Sequence, residues 1–182
     1  VILAISGLAA TVNAEEPASE PKSAIQSQLD TLNADIRKVR VLNDSIQGAG
    51  KTNYDYLSYR LDERGFDLLE DFNQLAKKLT TIPAGDPGQA EMTRQLLELS
   101  DGVGEAIFGR ISEIRQRISD AINNLDSLSG GKLVAAEAYI ANMENVRVSY
   151  YQALAEYVDT RNTLGLPSDS IRQQLEPMLY LY

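Results

Sequence analysis

The side chains in this chain best suited to chemistry are carboxylates and tyrosines. Asp62, Glu63, Asp67, Glu70 and Asp71 crowd one stretch, and Glu137, Glu144 and Glu156 are spread along another. General acid–base catalysis needs two such groups held in a cleft, in environments that separate their pKa values. Here they mostly sit between apolar residues, the pattern of a solvated helix face. There is no histidine and no cysteine. That removes Ser-His-Asp triads, the usual zinc sites, thiolate nucleophiles, iron–sulfur ligands and the Glu-x-x-His pairs of di-iron bundles. The sequence therefore assigns no catalytic residue, no metal ligand and no cofactor-binding residue. A non-enzymatic protein is expected.

Two glycine-rich stretches resemble nucleotide sites only in outline. Ser45-Ile46-Gln47-Gly48-Ala49-Gly50-Lys51-Thr52 ends like a phosphate-binding loop, in which backbone N–H groups and the lysine hold phosphates. Ser45 stands where the first glycine belongs, and a helical pattern precedes the loop where a strand is needed. A helix end followed by a hairpin turn accounts for Gly48 and Gly50. Gly102, Gly104 and Gly109 lie inside a helical stripe and serve close helix approach or a bend near residues 102–109.

Nine tyrosines complete the inventory. A tyrosine packs its ring while its hydroxyl stays wet, which suits bundle rims and interfaces. Tyr54, Tyr150 and Tyr157 coincide with apolar stripes and are expected in the core. Tyr56, Tyr59 and Tyr151 lie off the stripes. Their two roles are rim packing and a contact patch for another protein.

The elements that must position these groups are helices. Ile25, Leu29, Leu32, Ile36, Val39 and Leu42 or Ile46 recur at steps averaging 3.5 residues, the seam of a coiled-coil-like helix. Tyr54, Leu57, Leu61, Leu68, Phe72, Leu75 and Leu79 make a second stripe, with Gly65 as its weak point. A third runs from Met92 to Leu128, and a fourth through Leu133, Ala136, Ile140, Met143, Tyr150, Leu154 and Tyr157. Gly48-Ala49-Gly50, residues 82–88, Ser129-Gly130-Gly131 and Gly165-Leu166-Pro167 separate them, and Ser168 is expected to cap a fifth segment. The expected fold is all-α: an antiparallel up-down bundle of four long coiled-coil-like helices, with the start of a fifth segment. The bundle is assigned to residues 23–165 and the further helix to residues 166–182.

With 17 Lys+Arg against 26 Asp+Glu and a net charge of -9, the chain lacks the basic face that nucleic acid requires. Residues 1–14 are uncharged and mostly apolar, with Val12-Asn13-Ala14 fitting a signal-peptidase site. Residues 15–22 form an extended, proline-containing linker. Export to a bacterial periplasm with cleavage after Ala14 is expected. The apolar residues Leu179-Tyr180-Leu181-Tyr182 suggest a chain that continues towards a membrane.

Three segments carry a resemblance: the signal-like residues 1–14, Asn53-Tyr54-Asp55-Tyr56-Leu57-Ser58-Tyr59-Arg60-Leu61-Asp62-Glu63-Arg64, and Pro177-Met178-Leu179-Tyr180-Leu181-Tyr182. Together they resemble the periplasmic N-terminal helical regions of large members of the small-conductance mechanosensitive channel family. The resemblance implies an extracytoplasmic domain of an inner-membrane protein, acting in spacing, coupling or assembly. It covers neither the family's pore helix nor its cytoplasmic β domain, and it carries over no functional residue. A protein partner or self-association is expected, with no small molecule identifiable. The alternative is a periplasmic ligand-sensing or protein-binding bundle, which calls for a polar pocket between the first and fourth helices.

Overall fold

In the computed structural model, residues 22–83, 85–166, 168, 171 and 173 are described. Four long helices account for nearly all of them: α1 (Lys22–Gln47), α2 (Lys51–Thr81), α3 (Pro87–Asn124) and α4 (Gly131–Thr163). The bundle expected from the stripes is what forms. Isolated helices of this kind are marginal in water, so their stability comes from burying those stripes.

The connections follow local chemistry. Gly50 sits before the first turn of α2, with the Asn53 and Tyr54 amides donating to its carbonyl. Lys51 and Thr52 are thus ordinary first-turn residues, not part of a phosphate loop. Asp86 caps α3 by accepting from the Gly88 amide at 2.7 Å, and Pro87 fills the first helical position, where no N–H is needed. After α4, Gly165 adopts φ +76. Its amide donates to Asn162 and that of Leu166 to Arg161, each at 3.0 Å, closing the helix in a Schellman motif. Ser168, the expected cap of a fifth segment, is buried and donates to the Leu166 carbonyl at 3.3 Å. Most of the segment it would cap lies outside the described residues. So do residues 1–21, which include the signal-like stretch, and the terminal apolar residues 174–182.

Cross-helix bonds give the directions. Gln26 reaches Gln95 and Arg40 reaches Glu105, so α1 and α3 run the same way. Tyr54 donates to Glu113 and Asp62 accepts from Arg110, so α2 runs opposite to α3. Tyr54 approaches Met143 and Tyr150 donates to Asp62, so α4 runs with α2. The helices are not arranged as a square. α2 and α3 pack against each other and against both outer helices, while α1 and α4 have no substantial interface. The polar pocket expected between the first and fourth helices therefore has no interface to occupy.

The core follows the stripes, with two departures. On α3 the last buried residue is Ile118; Ile122 is 41% exposed, and the helix ends at Asn124 in a 3-10 turn, short of Leu128. On α4 nothing before Met143 is buried, although the stripe begins at Leu133. The reason is the stagger. The α1–α2 turn lies at the level of Arg117, whose guanidinium reaches the Ile46 carbonyl at 3.5 Å. Among the described residues only α3 and α4 continue beyond that level, as a two-helix hairpin with no third helix against it.

Candidate functional site: a buried charged cluster across α2, α3 and α4

α3 carries Arg110 among Ile107, Ile111 and Ile114, and its side chain is fully buried. A guanidinium there is tolerable only if every donor finds an acceptor. All five do. Nε and Nη2 grip Asp62 in a two-pronged bond, each at 2.8 Å. Nη2 also donates to the Ser58 hydroxyl, and Nη1 to Glu113 and, at 3.4 Å, to the Tyr54 hydroxyl.

The acceptors are themselves shared. Tyr150 donates to Asp62 Oδ1 at 3.0 Å, and Arg117 donates to Glu113 while lying 3.5 Å over the Tyr54 ring. Two arginines thus face two carboxylates, and the cluster is electrically balanced. Helical spacing assembles it. Tyr54, Ser58 and Asp62 stack at successive turns of α2. Arg110, Glu113 and Arg117 do the same on α3, and α4 contributes Tyr150. Gly65 makes room one turn on, since a Cβ there would lie 2.6 Å from the Tyr150 hydroxyl oxygen. The expected weak point of the second stripe is the socket for that ring, which also stacks on Phe66 at 4.4 Å.

The electrostatics favour a fixed cluster over an acid–base pair. Burial works against the charge on Arg110, but the bonds and charge of Asp62, then Tyr54, outweigh it and hold the guanidinium above its usual value. Burial, and then the Asp62 charge, push the Tyr150 hydroxyl well above its ordinary 10.0. Tyr139 is pushed up to about 12, chiefly by burial and then by Tyr54. None of these groups exchanges a proton near neutrality, and Arg110 has no donor left for a substrate.

A second cluster repeats the scheme a heptad further along α4. Tyr157 donates to the Ser100 carbonyl at 2.5 Å, and Arg161 Nη1 donates to Ser100 Oγ at 2.9 Å and Asp101 at 2.8 Å. Gly104 is the matching socket, with a Cβ position 3.2 Å from the Tyr157 hydroxyl. On the α1 side, the buried Asn43 amide donates to the Ala106 carbonyl at 2.7 Å beside Gly109. The α3 glycines lie in a helix assigned without interruption over Pro87–Asn124 and serve close approach.

The tyrosines expected in the core, Tyr54, Tyr150 and Tyr157, are there. Tyr56 and Tyr59 are 66% and 65% exposed on the outer face of α2. Tyr151 is half-buried on α4 with the Arg147 guanidinium 5.4 Å from its ring. Of the carboxylates, Glu63, Asp67, Glu70, Asp71, Glu137 and Glu156 face outward as expected. Asp62 does not: its side chain is 17% exposed and its oxygens are taken by Arg110 and Tyr150. Sequence reading missed the arginines. The signal was present as a gap, since the fourth stripe steps from Met143 to Tyr150 and the buried Arg147 fills the intervening turn.

The chain matches no protein-family model, no curated protein and no solved structure.

Proposed function

We propose that this bundle is a non-enzymatic, extracytoplasmic module of a membrane protein that acts in spacing, coupling or assembly, of the kind found ahead of mechanosensitive channels. The observation that carries the reading is where the chain enters and leaves. The start of α1 and the end of α4 lie towards one end of the bundle, since Gln26 bonds Gln95 and Arg161 bonds Asp101, both in the first half of α3. The α3–α4 turn lies at the other end, about 35–45 Å further along α3. Segments preceding and following the bundle therefore leave from one side, and the bundle stands off from whatever they attach to.

The Arg110 cluster, with every guanidinium donor taken, supports a rigid strut over a catalyst. Among the described residues no helix is long and apolar enough to cross a membrane, and no group of acidic residues could hold a metal ion. The test is the N-terminus and intact mass of the native protein after separating soluble periplasm from membranes. A membrane-fraction species starting at Glu15, with a mass far above 20 kDa, fits the proposal. A soluble species of about 18 kDa, the mass left after loss of residues 1–14 at about 110 Da each, overturns it.

A further inference from the structure

We propose that the protruding tip of the α3–α4 hairpin is a self-association surface, on which a second copy of this chain docks antiparallel, tip against base. The inference deepens the assembly role proposed above, but its test reads oligomeric state and holds wherever the protein resides.

The argument starts from composition. Between Lys132 and Asn142 the α4 sequence is Leu-Val-Ala-Ala-Glu-Ala-Tyr-Ile-Ala, with Glu137 as its only charge. A helix apolar all round belongs in an interior. Among the described residues this one has no such interior. Val134 is 65% exposed, Ala135, Ala138 and Ala141 face solvent, and Leu133, Ala136 and Ile140 are only half-buried. Across from it, α3 leaves Ile122 41% exposed. In the body of the bundle, α1 and α2 cover the corresponding faces of α3 and α4. At the tip no described residue fills those two places.

A second hairpin supplies two helices and restores four around one core, and the charges favour this occupant. The tip, residues 119–142, carries Asp120, Asp126 and Glu137 against Lys132 alone. The groove at its base is lined by Arg115 and by Arg147, the latter paired with Glu144 at 2.7 Å, beside Ile118 and Ile122. When two hairpins overlap head to base about a two-fold axis, each acidic tip lies on the other's basic groove. The exposed alanines let the helices approach closely. The start of α1 and the end of α4 lie away from the tip.

The overlap is small. Twelve residues of helix are about 18 Å long, and two helices side by side are about 20 Å wide. That gives roughly 400 Å² a side, about half of what a standard stable interface buries. The association is therefore weak and reversible.

Sedimentation equilibrium of the 182-residue chain between about 1 and about 300 µM tests this. The expected result is a mass rising from one chain towards two, and no further. Val134→Glu and Ala138→Glu should each hold the protein monomeric without changing its thermal melt, because both positions face solvent. Arg115→Glu and Asp126→Arg should each weaken the dimer several-fold, and together should restore it. A monomer at every concentration overturns the proposal and leaves the face to a different partner. Dimers that survive Val134→Glu, species larger than a dimer, or a charge swap that fails to rescue also overturn it.

Discussion

Arg110 shows what a single charge demands of a helical core. Its pairing with Asp62 is geometrically saturated, so removing one partner strands the other in a place water does not reach. Asp62→Asn is expected to destabilise the fold by about 3–5 kcal/mol in urea denaturation. Arg110→Met combined with Asp62→Leu should cost clearly less than the two single changes added together. The exposed pair Lys77–Glu156 sets the contrast, with side chains 70% and 58% accessible. Lys77→Ala should change stability by no more than about 0.5 kcal/mol. Gly65 offers a second residue-scale test. Alanine in a helix ordinarily gains about 1 kcal/mol over glycine. Here the new Cβ would meet the Tyr150 hydroxyl oxygen at 2.6 Å, and that ring is held by Phe66 and Asp62. Gly65→Ala should therefore destabilise by about 1–3 kcal/mol, and Tyr150→Phe should remove a good part of that cost in the double variant.

At the scale of the elements, α4 changes character along its length. From Met143 to Arg161 it is pinned to α2 and α3 by Tyr150, Tyr157 and the two arginine clusters. From Gly131 to Ala138 it has only α3 beside it among the described residues, and Tyr139 reaches back to Tyr54 on α2. Amides of residues 119–142 are expected to exchange with solvent well before those of 103–118 and 143–158 in dilute protein. Equal protection across both parts would contradict that division. The tyrosines holding α4 also give the helix a pH limit. Tyr150 and Tyr139 keep their protons in the fold above the ordinary value of 10.0, Tyr139 to about 12. The unfolded chain gives those protons up near pH 10, so it binds fewer than the native state above that pH, and stability falls as pH rises. The contribution is complete below pH 10 and declines from there to about 12. Urea midpoints across that range should drop, and the drop should be shallower in Tyr150→Phe.

As a whole, the described bundle is a rod with the start of α1 and the end of α4 towards one pole and its uncovered apolar surface at the other. That polarity joins the two proposals, since a strut fixed at one end meets a partner with its free end. Solution scattering follows from it. A monomer has a greatest dimension near 60 Å, set by α3 at about 1.5 Å per residue. Two copies overlapped by about 20 Å at their tips extend to about 90–100 Å at high concentration. A concentrated sample that keeps the monomer's length would contradict the tip-to-tip arrangement.

The sequence by itself determined the helices, their faces and their turns, because those depend on spacing and on glycine and proline chemistry within a few residues. Ile25, Leu29, Leu32 and Ile36 read as one buried face and are one. Gly50, Pro87 and Gly165 read as breaks and are breaks. Tyr150 and Tyr157 read as core for the same reason. Only the tertiary structure decided which polar residues are interior. Asp62 and Glu63 are neighbours of the same type, and what separates them is that Asp62 faces Arg110 on another helix. The stagger was equally out of reach. Ile122, Leu133 and Ile140 continue their stripes without a break, but burial needs a third helix at that level, and α1 and α2 turn back at Gly48–Gly50, below it. Periodicity states which face a helix offers. How far the neighbours extend, and what charge they present, is settled only when the helices pack.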